Sequence, residues 1–455
     1  MGNTVYIYGV YIVFFGRISE MTAKKRKESA PELLYAVSLG CPKNLVDTEM
    51  ITGAFISAGS RLTFEPESAS VYLINTCAFL ASARAEAQEA IEEGAAWKSR
   101  HPQGRLVVAG CLVNHPQIDE YKKAFPEVDL WAGPCELEKI TPLPRCAGDV
   151  PLRLQLTLPH VAYLRIADGC DNRCAYCLIP KLRGDKRSRT ISSCIAEAKQ
   201  LIEVGVKELI LIAQDTTAFG TDGENLAGLL RALEELPGAF RYRILYTHPV
   251  HYTDELISVL SSAKKFIPAL DIPLQHISDA MLERMNRHTD SKWIRDLVAK
   301  LRRAIPGIAL RTTFITGFPG ETEEDFKELL EFAAEARFER LGVFAFSPEP
   351  GTPAFEMADQ VPGDVADRRA REIMRRQHLR TAAANSKLTG QILEIMVDDI
   401  EENYAVGRTD ADAPDIDQNV YVELPAKVRF APGDRIKVRI TGALKGGDLE
   451  AETVR

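Results

Sequence analysis

The stretch Asp168-Gly169-Cys170-Asp171-Asn172-Arg173-Cys174-Ala175-Tyr176-Cys177 sets the frame for the whole chain. Three thiols stand at C-x3-C-x2-C spacing just after the apolar run 161–167, which predicts a strand. Thiolates this close in sequence can bind one metal centre from a single loop. Structural zinc wants four ligands, and no fourth Cys or His lies near. A 4Fe–4S cluster usually takes four cysteines. With three, one iron stays open for a small molecule, and the amino and carboxylate groups of S-adenosylmethionine (SAM) could chelate it.

Downstream, to about residue 385, strand and helix patterns alternate about six times. Strands are predicted at 161–167, 208–213, 243–246, 269–272, 309–315 and 341–346, with helices at 195–204, 293–305 and 323–336 between them. Eight such units close a TIM barrel, so six suggest a partial one with its site at the strand C-termini. Polar residues follow those ends: Gln214-Asp215-Thr216-Thr217, Gln275-His276, and Thr316-Gly317-Phe318-Pro319-Gly320-Glu321. Thr322 should cap the next helix through Asp325. Gly317 and Gly320 would let backbone approach a ligand closely, forming a wall for the SAM ribose and methionine. His276 alone is expected to be an ordinary polar loop residue.

Upstream, runs 33–39, 71–76 and 106–109 are rich in β-formers and alternate with helical stretches such as 81–97. That pattern predicts a small α/β domain with a mostly parallel sheet. Cys41, Cys77 and Cys111 each follow one of the three strands, 36 and 34 residues apart. In such sheets ligands gather beyond the strands' carboxyl ends, so the three thiols should converge at one edge. Buried structural cysteines are the alternative, but three in register favour a second three-cysteine iron–sulfur site. Cys135, Cys146 and Cys194 show no spacing logic and receive no role.

At 455 residues the chain has room for about three domains, and 45% hydrophobic with 26% charged residues describes a globular protein. The expected divisions are an extension at 1–30, poorly ordered; an N-terminal domain at 31–146; a linker at 147–155, within a Pro- and Leu-rich stretch from 142 to 160; a core at 156–386; and a terminal domain at 388–455. The apolar run 5–15 lacks a preceding basic residue and a cleavage site, and is too short to span a bilayer. A net charge of −8 does not invite nucleic acid or anionic membrane. Nine cysteines with loose pairing suit a reducing cytosol.

The terminal domain reads as a small antiparallel barrel, with β-like runs at 392–397, 421–423 and 435–440. It carries 14 Asp/Glu and 8 Lys/Arg, including Asp410, Asp412, Asp415 and Asp417. A module that gripped RNA should be basic. This one is expected to receive a basic protein through its aspartate run.

From about residue 33 to its end, the chain resembles the methylthiotransferases, radical-SAM enzymes with an N-terminal three-cysteine domain and a C-terminal TRAM domain. The likeness is to the branch acting on ribosomal protein S twelve (uS12). It is carried by Ser38-Leu39-Gly40-Cys41-Pro42-Lys43-Asn44-Leu45-Val46-Asp47, by Pro273-Leu274-Gln275-His276, and by Gly407-Arg408-Thr409-Asp410-Ala411-Asp412-Ala413-Pro414-Asp415. The tRNA-modifying relatives typically carry Gln-Ser-Gly-Ser where this chain has Gln275-His276-Ile277-Ser278.

The resemblance implies methylthiolation of the β-carbon of one uS12 aspartate, an unactivated C–H bond that polar catalysis cannot open. It implies two 4Fe–4S clusters and SAM. One cluster, on Cys170, Cys174 and Cys177, would pass an electron to SAM. The other, on Cys41, Cys77 and Cys111, would hold the sulfur. Tyr176, Gln214, Asp215, Thr316, Gly317, Gly320 and Glu321 are the expected cofactor contacts. The expected partners are uS12, free or on the small ribosomal subunit, an electron donor of flavodoxin or ferredoxin type, and a sulfur donor. A cytoplasmic monomer with no membrane partner is expected. A tRNA adenosine methylthiotransferase is the alternative, and a non-catalytic metal scaffold that binds ribosomes is a rival from another class. Reductive SAM cleavage separates an enzyme from that scaffold.

Overall fold

The computed structural model describes residues 31–146, 149–424 and 429–454, so the expected extension at 1–30 lies outside the described residues. The N-terminal sheet is all parallel, built from β1 (Leu33–Ser38), β2 (Arg61–Leu62), β3 (Val71–Thr76), β4 (Arg105–Gly110) and β5 (Leu130–Ala132) in the order β2-β1-β3-β4-β5. Every residue of β3 is buried, as befits a strand covered by helices on both faces. The short edge strands β2 and β5 escaped the sequence analysis, because two or three residues give no periodicity to read.

The core holds six parallel strands in sequence order: β6 (Val161–Arg165), β7 (Glu208–Ile212), β8 (Arg241–Ile244), β9 (Phe266–Asp271), β10 (Ala309–Thr316) and β11 (Arg340–Ala345). This is the expected partial barrel. Helix Glu323–Ala336 begins with the expected reciprocal cap between Thr322 and Asp325. Helix Gly363–Ser386 packs along the last two strands.

An open barrel must fill its interior from elsewhere. Val46 and Met50, on helix Pro42–Ser57 of the N-terminal domain, pack with Tyr163, Ile210, Ile212 and Leu245 of the core. Ala413, from the terminal domain, joins the same cluster. The stretch expected as a linker is also packed down. Arg153 is buried between Glu49 and Glu197, and the Leu154 and Leu156 amides donate to Glu49.

The terminal domain is a closed five-stranded barrel of β12 (Ile392–Ile400), β13 (Tyr404–Arg408), β14 (Val420–Glu423), β15 (Arg435–Ala443) and β16 (Leu449–Thr453). Its aspartate run corrects the expectation of a protein-receiving surface. Asp410 accepts from Arg241 at 2.6 Å and from Arg435 at 3.1 Å. Asp412, wholly buried, accepts from Arg340 at 2.7 Å. Asp417 accepts from Arg311 at 2.8 Å. Three of the four carboxylates thus latch the terminal barrel to core strands β8, β10 and β11. Composition counted their charges but could not see the arginines that neutralise them.

Removing one partner of a buried pair strands the other charge and costs ~3–5 kcal/mol. Asp412→Ala should therefore lower the urea midpoint clearly, while Glu402→Ala, on an exposed turn, should leave it near wild type. Equal midpoints for the two variants would contradict the latch.

Candidate active site

The first three cysteines sit where the N-terminal strands end. Thr76 pairs with Gly110 in register, so Cys77 and Cys111 emerge side by side, and Cys41 follows the neighbouring strand. Glycine precedes two of them for a steric reason. A Cβ on Gly40 would lie 2.5 Å from the Cys77 Cβ, and one on Gly110 would lie 2.4 Å from the Thr76 carbonyl oxygen. Both glycines also hold positive φ, 87° and 94°, which side chains disfavour. Asn44 ties the three ends together. Its amide donates to the Leu39 and Thr76 carbonyls at 3.1 and 2.8 Å, and its oxygen accepts from the Cys111 thiol at 3.5 Å.

The second trio lies on the loop after β6. The Ile179 amide donates to the Cys177 sulfur, and Arg287 donates to the Cys174 sulfur at 3.4 Å and to the Tyr176 hydroxyl at 3.2 Å. Asp215 braces the loop by accepting from Asn172 at 2.7 Å and from Thr217 at 2.6 Å. Burial raises its carboxyl, but the His251 imidazole 2.8 Å away holds it down at about 2. Asp215 is thus saturated by protein partners.

Both trios open on one cavity of about 1070 Å³, beyond the carboxyl ends of both sheets. Tyr176, Gln214, Tyr246, His248, Gln275 and Arg287 also line it, as do Asp415 and Ile416 from the terminal domain. Thr316, Gly317, Gly320 and Glu321 are not among its lining residues. The open face of Gly317 meets Ala366, and that of Gly320 meets Arg284, where the sequence suggested a ligand. Glu321 accepts from His276 and Arg369 at 3.2 and 2.7 Å and from the Gly317 amide, all buried. His276 is therefore a core histidine.

Does the donor set fit iron–sulfur clusters? A single zinc, bonded at about 2.3 Å to each sulfur, would draw the three sulfurs within roughly 4 Å of one another. Among the described residues, the ligand trio found within 4.8 Å is Asp215, His248 and His251, and neither cysteine trio is so close. That spacing is too open for one ion bonded to all three sulfurs. Burial pushes Cys111 and Cys177 up to about 12, and Cys77 and Cys170 up to about 11, so iron must displace protons to bind. Burial also raises Cys41, but Lys43 and Arg183 outweigh it and draw that thiol down. Arg183 and Arg287 would offset the negative charge of thiolate-bound clusters.

Four buried polar atoms on the cavity wall lack a hydrogen-bond partner: Gln214 Oε1, Gln275 Oε1, His248 Nε2 and Arg287 Nε. Burial and Arg287 push His248 down to about 2. It is neutral, and its Nδ1 accepts from the Val250 amide, leaving Nε2 as a donor. Two acceptors and two donors could hold a ligand that carries both an ammonium and a carboxylate, as SAM does. His248 and Arg287 were missed in the sequence, where neither belongs to a recognisable spacing.

Comparison with known proteins agrees with this layout. Residues 164–333 match the Radical SAM superfamily, residues 34–133 match the Uncharacterized protein family UPF0004, and residues 389–454 match the TRAM domain. The Ribosomal protein uS12 methylthiotransferase RimO of Akkermansia muciniphila is 42% identical, covering 90% of this chain and 97% of that protein. The chain belongs to the RimO methylthiotransferase family. The RimO of Opitutus terrae is 41% identical over 89% of this chain and 93% of its own length. Among solved structures, the radical S-adenosylmethionine methyltransferase TsrM of Kitasatospora setae superposes with a TM-score of 0.51 at 16% identity, covering 72% of this chain and 75% of that one. That likeness concerns the fold alone. Membership of the RimO family makes the chain a radical-SAM methylthiotransferase, with SAM and 4Fe–4S clusters as its cofactors.

Anaerobically reconstituted protein should bind about eight irons, four per cubane. Replacing Cys41, Cys77 and Cys111 together by Ala should leave about four, and replacing Cys170, Cys174 and Cys177 together should leave the other four. Loss of all iron in either triple variant would contradict two independent sites.

Proposed function

We propose that this enzyme adds a methylthio group to the β-carbon of one aspartate in ribosomal protein uS12. The observation that carries this is the single cavity onto which both cysteine trios open, in a chain of the RimO family. Hydrogen removal and sulfur delivery at one carbon require both centres to reach the same space. When bound, the clusters and SAM supply one-electron chemistry, sulfur and the methyl group, and the protein's part is placement and shielding.

The chain's own residues divide that work. Cys170, Cys174 and Cys177 would hold one cluster, with Arg287 fixing Cys174 and Tyr176. Cys41, Cys77 and Cys111 would hold the other, with Asn44 fixing their three strands. Gln214, Gln275, His248 and Arg287 present free polar atoms for SAM, and Asp215 keeps the cysteine loop in place through Asn172. Asp415 and Ile416 reach the cavity from the terminal domain, which makes that domain part of the site's wall.

Transfer to a tRNA adenosine lacks this support, since the RimO relatives are named for a ribosomal protein. The terminal domain's acidity no longer discriminates, because most of its aspartate run is paired internally. No helix among the described residues is long and apolar enough to cross a membrane. The proposed setting is the cytoplasm, as a monomer, with uS12 free or on the small ribosomal subunit, a flavodoxin- or ferredoxin-type reductant and a separate sulfur donor.

The test is mass spectrometry of purified uS12 after anaerobic incubation with enzyme, SAM, sulfide and reductant. A methylthio adduct on one aspartate is expected, and Cys174→Ala should abolish both the adduct and 5′-deoxyadenosine. Undiminished 5′-deoxyadenosine from that variant, or modification of tRNA in place of uS12, would overturn the proposal.

A further inference from the structure

Lys43 is a buried cation with no carboxylate partner in contact, although the Cys41 thiol lies close enough to feel its charge. It follows Cys41 by two residues, is 7% exposed and lines the cavity. Buried charges are ordinarily paired, and most other buried basic residues here obey that rule. Arg183 meets Asp47 and Asp168, Arg243 meets Glu208, and Arg369 meets Glu321. Among the described residues no carboxylate lies within 4.0 Å of the Lys43 Nζ, and no hydrogen bond from it is formed. The Asp168 carboxylate is held by Arg183, and Asp271 accepts from the Tyr246 amide.

What the ammonium does touch is a ring. Its Nζ sits 3.3 Å from the centroid of Tyr246, on a face that attracts cations. Tyr246 is held there at some conformational cost. Its φ of 61° is in the left-handed region, uncommon for an aromatic residue and typical of functional sites. The Thr216 amide donates to its carbonyl at 2.8 Å, and its own amide donates to Asp271 at 3.1 Å. The strand end is thus shaped to present an ammonium to the cavity without neutralising it.

Resting on the uS12 function proposed above, we propose that Lys43 receives the side-chain carboxylate of the substrate aspartate. The β-carbon is bonded directly to the carboxylate carbon, so fixing the carboxylate fixes the carbon that reacts. Because Lys43 stands in the first turn of the helix that Cys41 precedes, the same contact sets that carbon against the sulfur-supplying trio. One ammonium matches one carboxylate, and it would select aspartate over its uncharged amide. Charge-assisted hydrogen bonds of this kind distinguish ligands by roughly tenfold or more.

The experiment uses full-length, anaerobically reconstituted enzyme and two peptides spanning the uS12 target segment, one with Asp and one with Asn at the target position. Titration calorimetry should show wild type binding the Asp peptide roughly tenfold tighter. Lys43→Met, at wild-type iron content, should bind both alike, and Lys43→Arg should restore part of the preference. Lys43→Gln provides a second neutral variant should the Met variant lose iron. A tenfold Asp preference that survives in the neutral variants, or no preference in wild type, overturns the role of Lys43. If wild-type enzyme methylthiolates uS12 and yet the neutral variants keep its KM, only this inference falls. If wild type leaves uS12 unmodified, the proposed function falls with it.

Discussion

One buried guanidinium holds the two halves of the site in register. Arg183 follows the second cysteine trio and is 1% exposed. It donates to both oxygens of Asp168 at 3.1 Å, to Asp47 at 2.8 Å and to Asn44. Asp168 precedes Cys170 by two residues, and Asn44 and Asp47 follow Cys41 by three and six. Asn44 in turn fixes the strand ends that carry Cys77 and Cys111. A single cation therefore relates both cysteine sets to one frame. Buried pairs often add little net stability, because desolvation offsets attraction. What Arg183 contributes is geometry, since its donors bond residues of both domains at once.

The same device recurs at the other end of the core. Arg241, Arg311 and Arg340 lie on core strands and engage Asp410, Asp417 and Asp412 of the terminal barrel. Glu208 on β7 adds a shared pair with Arg243 and Arg408. An open six-stranded barrel has an interior that needs filling. This chain fills it with a helix from one neighbouring domain and a loop from the other, each anchored by arginine–aspartate ion pairs. The consequence reaches function, since the loop that carries the latch also delivers Asp415 and Ile416 to the cavity wall.

Much of this was legible in the sequence, because parallel α/β folds write themselves as repeated apolar runs with polar ends. The six core strands, the capped helix at 323–336 and both cysteine trios follow from that grammar. What the sequence concealed were pairings between distant residues. The aspartates at 410, 412 and 417 looked like surface charge until their arginines, some 70 to 170 residues away, were in view. Gly317 and Gly320 looked like room for a ligand, but the side chains of Ala366 and Arg284 pack where a Cβ on either would stand. Lys43, Asn44 and Asp47 stood in plain sight within the motif around Cys41. Their separate tasks emerge only from their neighbours: a free ammonium, a hub of strand ends and an anchor for Arg183.

The central claim is that two cluster sites face one substrate cavity. An anomalous difference map at the iron edge, from crystals of anaerobically reconstituted protein, tests it most directly. Two iron peaks are expected, one bonded by Cys170, Cys174 and Cys177 and the other by Cys41, Cys77 and Cys111, both bordering the cavity that Lys43 lines. A single iron peak, or zinc at either trio, would contradict it.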